Sequence, residues 1–165
     1  NVAGYSVRID SVNSSSSGVV LGEVYDAEPL NSPVRILNVS TLGFVGSGSA
    51  ALTPGFYIGG DGSRSVMIRA VGPGLAAFGV GDRLIDPLVS VVPLGASYVV
   101  ASNDDWSGTA ALRFAFASNG AFNLDAASGD AALLVRLPPG GYTVLVSGSD
   151  GGTGNAIVEV YDVGP

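Results

Sequence analysis

Two stretches of this chain are copies of one another, and a copied stretch must build the same kind of structure twice. Gly4-Tyr5-Ser6-Val7-Arg8-Ile9 matches Gly141-Tyr142-Thr143-Val144-Leu145-Val146 at a constant offset of 137, with Arg8 against Leu145 the one dissimilar pair. Glu23-Val24-Tyr25-Asp26 is identical to Glu159-Val160-Tyr161-Asp162 at an offset of 136, and Pro29 against Pro165 keeps that second offset. The change of offset puts one extra residue in the connecting loop of the first copy. Residues 1–28 therefore repeat residues 138–165, which we read as a closing β-hairpin. The remainder, 29–165, is one module, preceded by the hairpin of another.

Strand signals fill the rest. Tyr5, Val7 and Ile9 alternate with polar neighbours, a serine-rich turn follows, and 19–25 resumes an apolar run. Alternating runs broken by turn residues are the mark of half-buried strands. Further candidates are 34–41, 55–59, 64–71, 86–93, 97–102, 131–137, 142–148 and 155–162, most bounded by Gly, Pro, Asn or Asp. The helix formers of 110–117 predict one short helix, with Asp105 or Ser107 as N-cap and Asn119-Gly120 as its stop. The expected fold is all-β: a jelly-roll-like β-sandwich of about nine or ten strands with one short helix, in tandem or head-to-tail repeats.

Composition narrows function by what is missing. The 165 residues include no His and no Cys, and all seven basic residues are Arg. This excludes a Ser-His-Asp triad, a thiolate nucleophile, a cysteine or histidine zinc site, a disulfide and a lysine Schiff base. A net charge of −7 without a basic stripe argues against nucleic acid as a partner. Apolar runs are too short for a transmembrane helix. Paired-carboxylate hydrolysis needs only Asp and Glu, yet no pair stands out. We expect no enzyme activity. Asn1 in place of an initiator Met implies a processed or excerpted chain.

Several segments invite a site. Asn103, Asp104 and Asp105 carry the clustered oxygens that suit Ca²⁺, with Asp86, Asp130 or Asp150 as further ligands if the fold gathers them; the same residues also suit a strand-end turn. No other cofactor is expected. Trp106, with Tyr57 and Tyr98, has the aromatic faces of a glycan platform, or else packs in the core. Gly72-Pro73-Gly74-Leu75-Ala76-Ala77 fits a loose dinucleotide-loop spacing but lacks a surrounding βαβ unit, which makes it a turn. Gly59-Gly60-Asp61-Gly62 is a single turn rather than one of a stack of calcium repeats. Gly46–Ser49 is no nucleophile elbow. Arg69 interrupts an apolar strand and calls for either a nearby acid or an inter-subunit contact. Sequons stand at Asn13 and Asn38.

Residues 35–165 resemble a module found in tandem near the C-termini of large secreted bacterial proteins. The likeness rests on Arg35–Thr41, Gly43–Gly46, Ile68–Pro73, Ala101–Trp106 and Val158–Asp162. From Asp86 onward the chain is also similar to the bacterial pre-peptidase C-terminal type of β-sandwich, through Asp86-Pro87, Asn103-Asp104-Asp105 and Pro139-Gly140-Gly141-Tyr142-Thr143-Val144. These resemblances imply an extracellular or cell-surface accessory or structural module and bring no catalytic residues with them. The expected role is a structural subunit or repeat of an extracellular filament, stalk or adhesin. Its partners are copies of itself, linked head to tail through β-hairpin or strand complementation at Tyr5, Val7, Ile9, Leu21, Val24 and Tyr25. The alternative is a calcium- or carbohydrate-binding accessory module of a secreted enzyme.

Overall fold

The computed structural model describes residues 4–13, 15–16, 18–29 and 32–164. Residues 1–3, Ser14, Ser17 and Pro165, which fall in the two repeated segments, lie outside this set. The chain divides into two compact units, Asn1–Arg35 and Ile36–Pro165.

The second unit is an eight-stranded sandwich. Its strands are β1 (Asn38–Val45), β2 (Gly55–Ile58), β3 (Arg64–Val71), β4 (Pro87–Pro93), β5 (Ala101–Asn103), β6 (Ala131–Leu137), β7 (Gly140–Gly148) and β8 (Gly154–Gly164). They form two antiparallel sheets in the orders β1-β8-β3-β6 and β2-β7-β4-β5. This is jelly-roll order, as expected: the first four strands pair with the last four like a long ribbon folded over and rolled up. The expected count of nine or ten strands included 5–11 and 19–25, and among the described residues neither segment belongs to a ladder.

The C-terminal segment also differs from expectation. β7 and β8 do not pair with each other and so do not make a hairpin. β7 lies between β2 and β4 in one sheet, and β8 between β1 and β3 in the other. The loop between them crosses from sheet to sheet, making a β-arch. A short Gly-rich loop between two apolar runs suits both shapes; the arch wins because both strands carry inward side chains for a shared core.

That core alternates as strand periodicity demands. Val66, Ile68 and Ala70 of β3, Tyr142, Val144 and Val146 of β7, and Ala156 and Val158 of β8 fill the space between the sheets. The opposite face of the β8-containing sheet is also covered. Met67 and Val71 of β3 and Tyr161 of β8 pack with Trp106, Leu112 and Phe116. This third layer comes from helix α1 (Ala110–Asn119) and its flanking loops. Thr109, rather than Asp105 or Ser107, caps α1 by accepting from the Leu112 amide; Gly120 ends it at φ 69°.

The Gly72-Pro73-Gly74 loop is a packed turn. The buried Asp130 carboxylate accepts from the amides of Gly72 and Gly74 and from the Ser128 hydroxyl. A Cβ on Gly72 would sit 2.0 Å from the Leu84 carbonyl oxygen, so only glycine fits. The loop's amides are thus occupied by the chain's own carboxylate. Asp130→Ala should cost about 2–4 kcal/mol by stranding buried amides. We expect a lower urea midpoint at unchanged slope, with Asp130→Asn intermediate.

Candidate functional site

The repeat becomes informative once the role of its second copy is seen. In β7, Tyr142, Val144 and Val146 face the inter-sheet core, while Leu145 is exposed on the outside. In β8, Ala156, Val158 and Val160 face the same core, and Ile157, Glu159, Tyr161 and Val163 face the helical layer. Glu159 is buried there beside the fully buried Arg69 of β3, with Nε to Oε2 at 2.9 Å. This selects the acid partner from the two alternatives open for Arg69. Its guanidinium also donates from Nη1 to the Phe122 carbonyl at 2.7 Å and lies 4.5 Å and 4.3 Å from the ring centres of Phe116 and Phe122. Burial lowers the Arg69 pKa, opposed by the Glu159 charge. The Tyr161 hydroxyl donates to Glu159 Oε1 at 2.8 Å, and burial holds its pKa well above the ordinary tyrosine value.

The first copy keeps the local details without the surroundings. The Tyr25 hydroxyl donates to Glu23 Oε1 at 2.9 Å, the counterpart of Tyr161 and Glu159. The Glu28 amide donates to Asp26 Oδ1 at 3.0 Å, the counterpart of Gly164 and Asp162 at the same length. The bond to Glu23 raises the pKa of Tyr25. Among the described residues, no arginine pairs with Glu23. Its apolar positions are open to solvent: Tyr5 is 93% exposed, Val7 81%, Leu21 80% and Tyr25 77%, with Ile9 and Val24 also exposed. Within the first matched stretch the one mismatched pair, Arg8 and Leu145, falls where the sandwich faces water; just before the second, Gly22 stands where the sandwich has the core residue Val158.

The other candidates resolve into structure. Trp106 is 1% exposed; its ring lies 5.2 Å from that of Phe116, and its Nε1 donates to the Asp125 carbonyl. It offers no face to a sugar, which corrects the glycan-contact expectation. The short helix and its loops cover it, something the polar Asn103-Asp104-Asp105 run before it conceals. Asn103 spends its amide on the Asp105 carbonyl and its Oδ1 on the Ala132 amide, tying β5 to β6. This is the turn role. Among the described residues, no three acidic groups converge to hold a metal ion. A shallow groove of about 470 Å³ beside Phe114, Leu134 and Arg136 has Ser65 in its wall but no carboxylate among its lining residues.

Asp86, Asp104, Asp105 and Asp150 do share one region. Partial desolvation, then the charges of Asp105, Asp104 and Asp150, raise the Asp86 pKa. A carboxyl held above its unfolded value stabilises the fold while protonated and loses that contribution as pH rises through its folded pKa. Asp86→Asn should therefore raise the melting temperature at pH 7, with the advantage fading below about pH 4. For the buried pair, Glu159→Ala should cost about 3–5 kcal/mol, because it strands a buried cation. Glu23→Ala should leave the thermal unfolding of the unassembled 165-residue monomer unchanged. Scanning calorimetry of the three variants checks all of this.

No protein-family model matches the chain, and no curated protein does. Among solved structures, the chain is similar to the pre-peptidase C-terminal domain of a collagenase from Bacillus anthracis. Identity is 14% and the TM-score 0.43, with 75% of this chain and 89% of that one covered. A likeness at this level carries no site residues across.

Proposed function

We propose that this chain is a non-catalytic structural subunit or repeat of an extracellular bacterial filament, stalk or adhesin, in which successive copies are joined end to end through residues 1–28. The observation that carries the reading is the exposed duplicate: a segment with the side chains of two core strands, presented to solvent. Tyr5, Val7, Ile9, Leu21, Val24 and Tyr25 are each worth about 1.5–3 kcal/mol once buried. Together they offer on the order of 10 kcal/mol before ordering costs, enough for a lasting contact. An apolar segment left in water would invite indiscriminate association, which a matching partner prevents.

Composition agrees with a surface setting. The chain has no thiol to oxidise, a single Met and a net negative charge that resists nonspecific association. A calcium- or carbohydrate-binding accessory role has less support, because Asn103 is committed to its own turn and Trp106 is buried.

The test is electron microscopy and light scattering of the full chain beside one lacking residues 1–28, each refolded from denaturant. The full chain should form fibres or discrete oligomers, and the shortened chain should fold as a monomer. Equal assembly by both would refute a joint through this segment.

A further inference from the structure

The strands that residues 4–26 duplicate are not edge strands. β7 and β8 each have a neighbour on both sides, and each sheet runs through one of them. An edge strand is added to a finished sheet, whereas an interior one has to be there for the sheet to exist. The sandwich of residues 36–165 has both interior positions filled by its own β7 and β8, so a duplicate of that pair has no equivalent place in it. Its place is in a module that lacks its own.

We propose that residues 4–26 are a second closing β-arch, which completes another module of this same fold whose own closing strands are absent or displaced. The segment around Tyr5, Val7 and Ile9 runs between that module's β2 and β4. The segment around Glu23 and Tyr25 runs between its β1 and β3, with Glu23 meeting that module's counterpart of Arg69. This rests on the end-to-end reading above and deepens it: the joint completes an unfinished core instead of extending a finished sheet.

Three observations converge on it. First, the two arms of the segment carry no ladder among the described residues, as expected of strands destined for opposite sheets. β7 and β8 likewise make none with each other. Second, the extra residue lies in the connecting loop and not in either arm. A one-residue insertion within a strand would turn its apolar side chains to the wrong face; placed in the loop, it leaves both arms in phase with β7 and β8. Third, the Tyr25–Glu23 hydrogen bond is already formed. In the sandwich the same bond holds Glu159 against a cation clasped by two aromatic rings. A glutamate kept in that arrangement within an exposed apolar segment selects a partner with a buried arginine and disfavours any other apolar slot.

The experiment disables the chain's own arch and asks whether the duplicate takes over. Val144→Asp puts a carboxylate into the inter-sheet core and bars β7 from its position. In the full chain this variant should keep a cooperative thermal transition, with residues 4–26 closing the core within one chain or between two. Adding Val7→Asp should abolish that transition. Glu23→Gln should lower the melting temperature of the Val144→Asp chain while leaving that of the unassembled wild-type monomer unchanged. If Val144→Asp alone unfolds the chain as fully as the double variant, or if the double variant folds as well as the single, the proposal is overturned.

A second measurement needs no disabled core. Val144 sits opposite Val91 in the β4–β7 register, and the chain has no cysteine of its own. Val7→Cys with Val91→Cys, refolded from denaturant and oxidised, should yield a 7–91 disulfide in a fraction of the molecules. Val144→Cys with Val91→Cys marks the full yield. Absence of the 7–91 bond overturns the proposal. The two readings fail separately: rescue of Val144→Asp without fibres removes only the filament, and fibres without rescue or cross-link remove only the arch.

Discussion

Both sheets of this sandwich depend on the last two strands of the chain. β8 carries the ladder between β1 and β3, and β7 the ladder between β2 and β4. Without them, each four-stranded sheet becomes one isolated strand and one pair, too little to hold a hydrophobic face together in water. The core residues of the other six strands would lose their opposite wall at the same time. A fold arranged this way gives its closing segment unusual leverage, and a spare copy of that segment acquires meaning for the same reason.

The buried Arg69–Glu159 pair adds selectivity to that leverage. An ion pair taken out of water is no strong source of stability, since desolvation offsets most of the attraction. Its effect lies in the cost of a mismatch. Arg69 is hemmed in by Phe116 and Phe122, with one hydrogen bond to a carbonyl; a strand that entered without its glutamate would leave a cation uncompensated in an apolar layer. The closing strand is thereby checked for chemistry as well as for shape.

Much of this architecture is legible in the sequence, because period-two alternation and Gly or Pro punctuation are local signals. The bounds of β3, β4 and β6 follow from them to within a residue. The helix is legible too, but its cap is not: Thr109, Ser107 and Asp105 are all good capping residues, and only backbone geometry chooses among them. The arch reads as a hairpin in the sequence because ladder partners are nonlocal. A clue was present in β8, where residues of both parities are apolar, Ala156, Val158 and Val160 on one side and Ile157, Tyr161 and Val163 on the other. A strand covered on both faces belongs inside a layered structure. Trp106 was ambiguous for a similar reason, since nothing in Asn103-Asp104-Asp105 announces the helix that folds over it. The candidate assembly segment is legible as an internal repeat, whereas the surroundings its Glu–Tyr pair matches are visible only in the buried copy, Glu159 and Tyr161.

The rolled-ribbon topology also sets a schedule. Asn38 pairs with Tyr161, its partner more than a hundred residues later, so contacts of this kind form late and slowly. At ribosomal speeds, on the order of ten seconds separate the emergence of β1 from that of β8. Throughout that interval a nascent module has acceptor strands without its own β8 to close them, and its apolar interior stands open. Residues 4–26, by contrast, leave the ribosome ahead of every strand of the module they precede. On the proposed exchange of arches, order of synthesis makes the duplicate available before the module's own closing strands, a timing that favours closure by the duplicate.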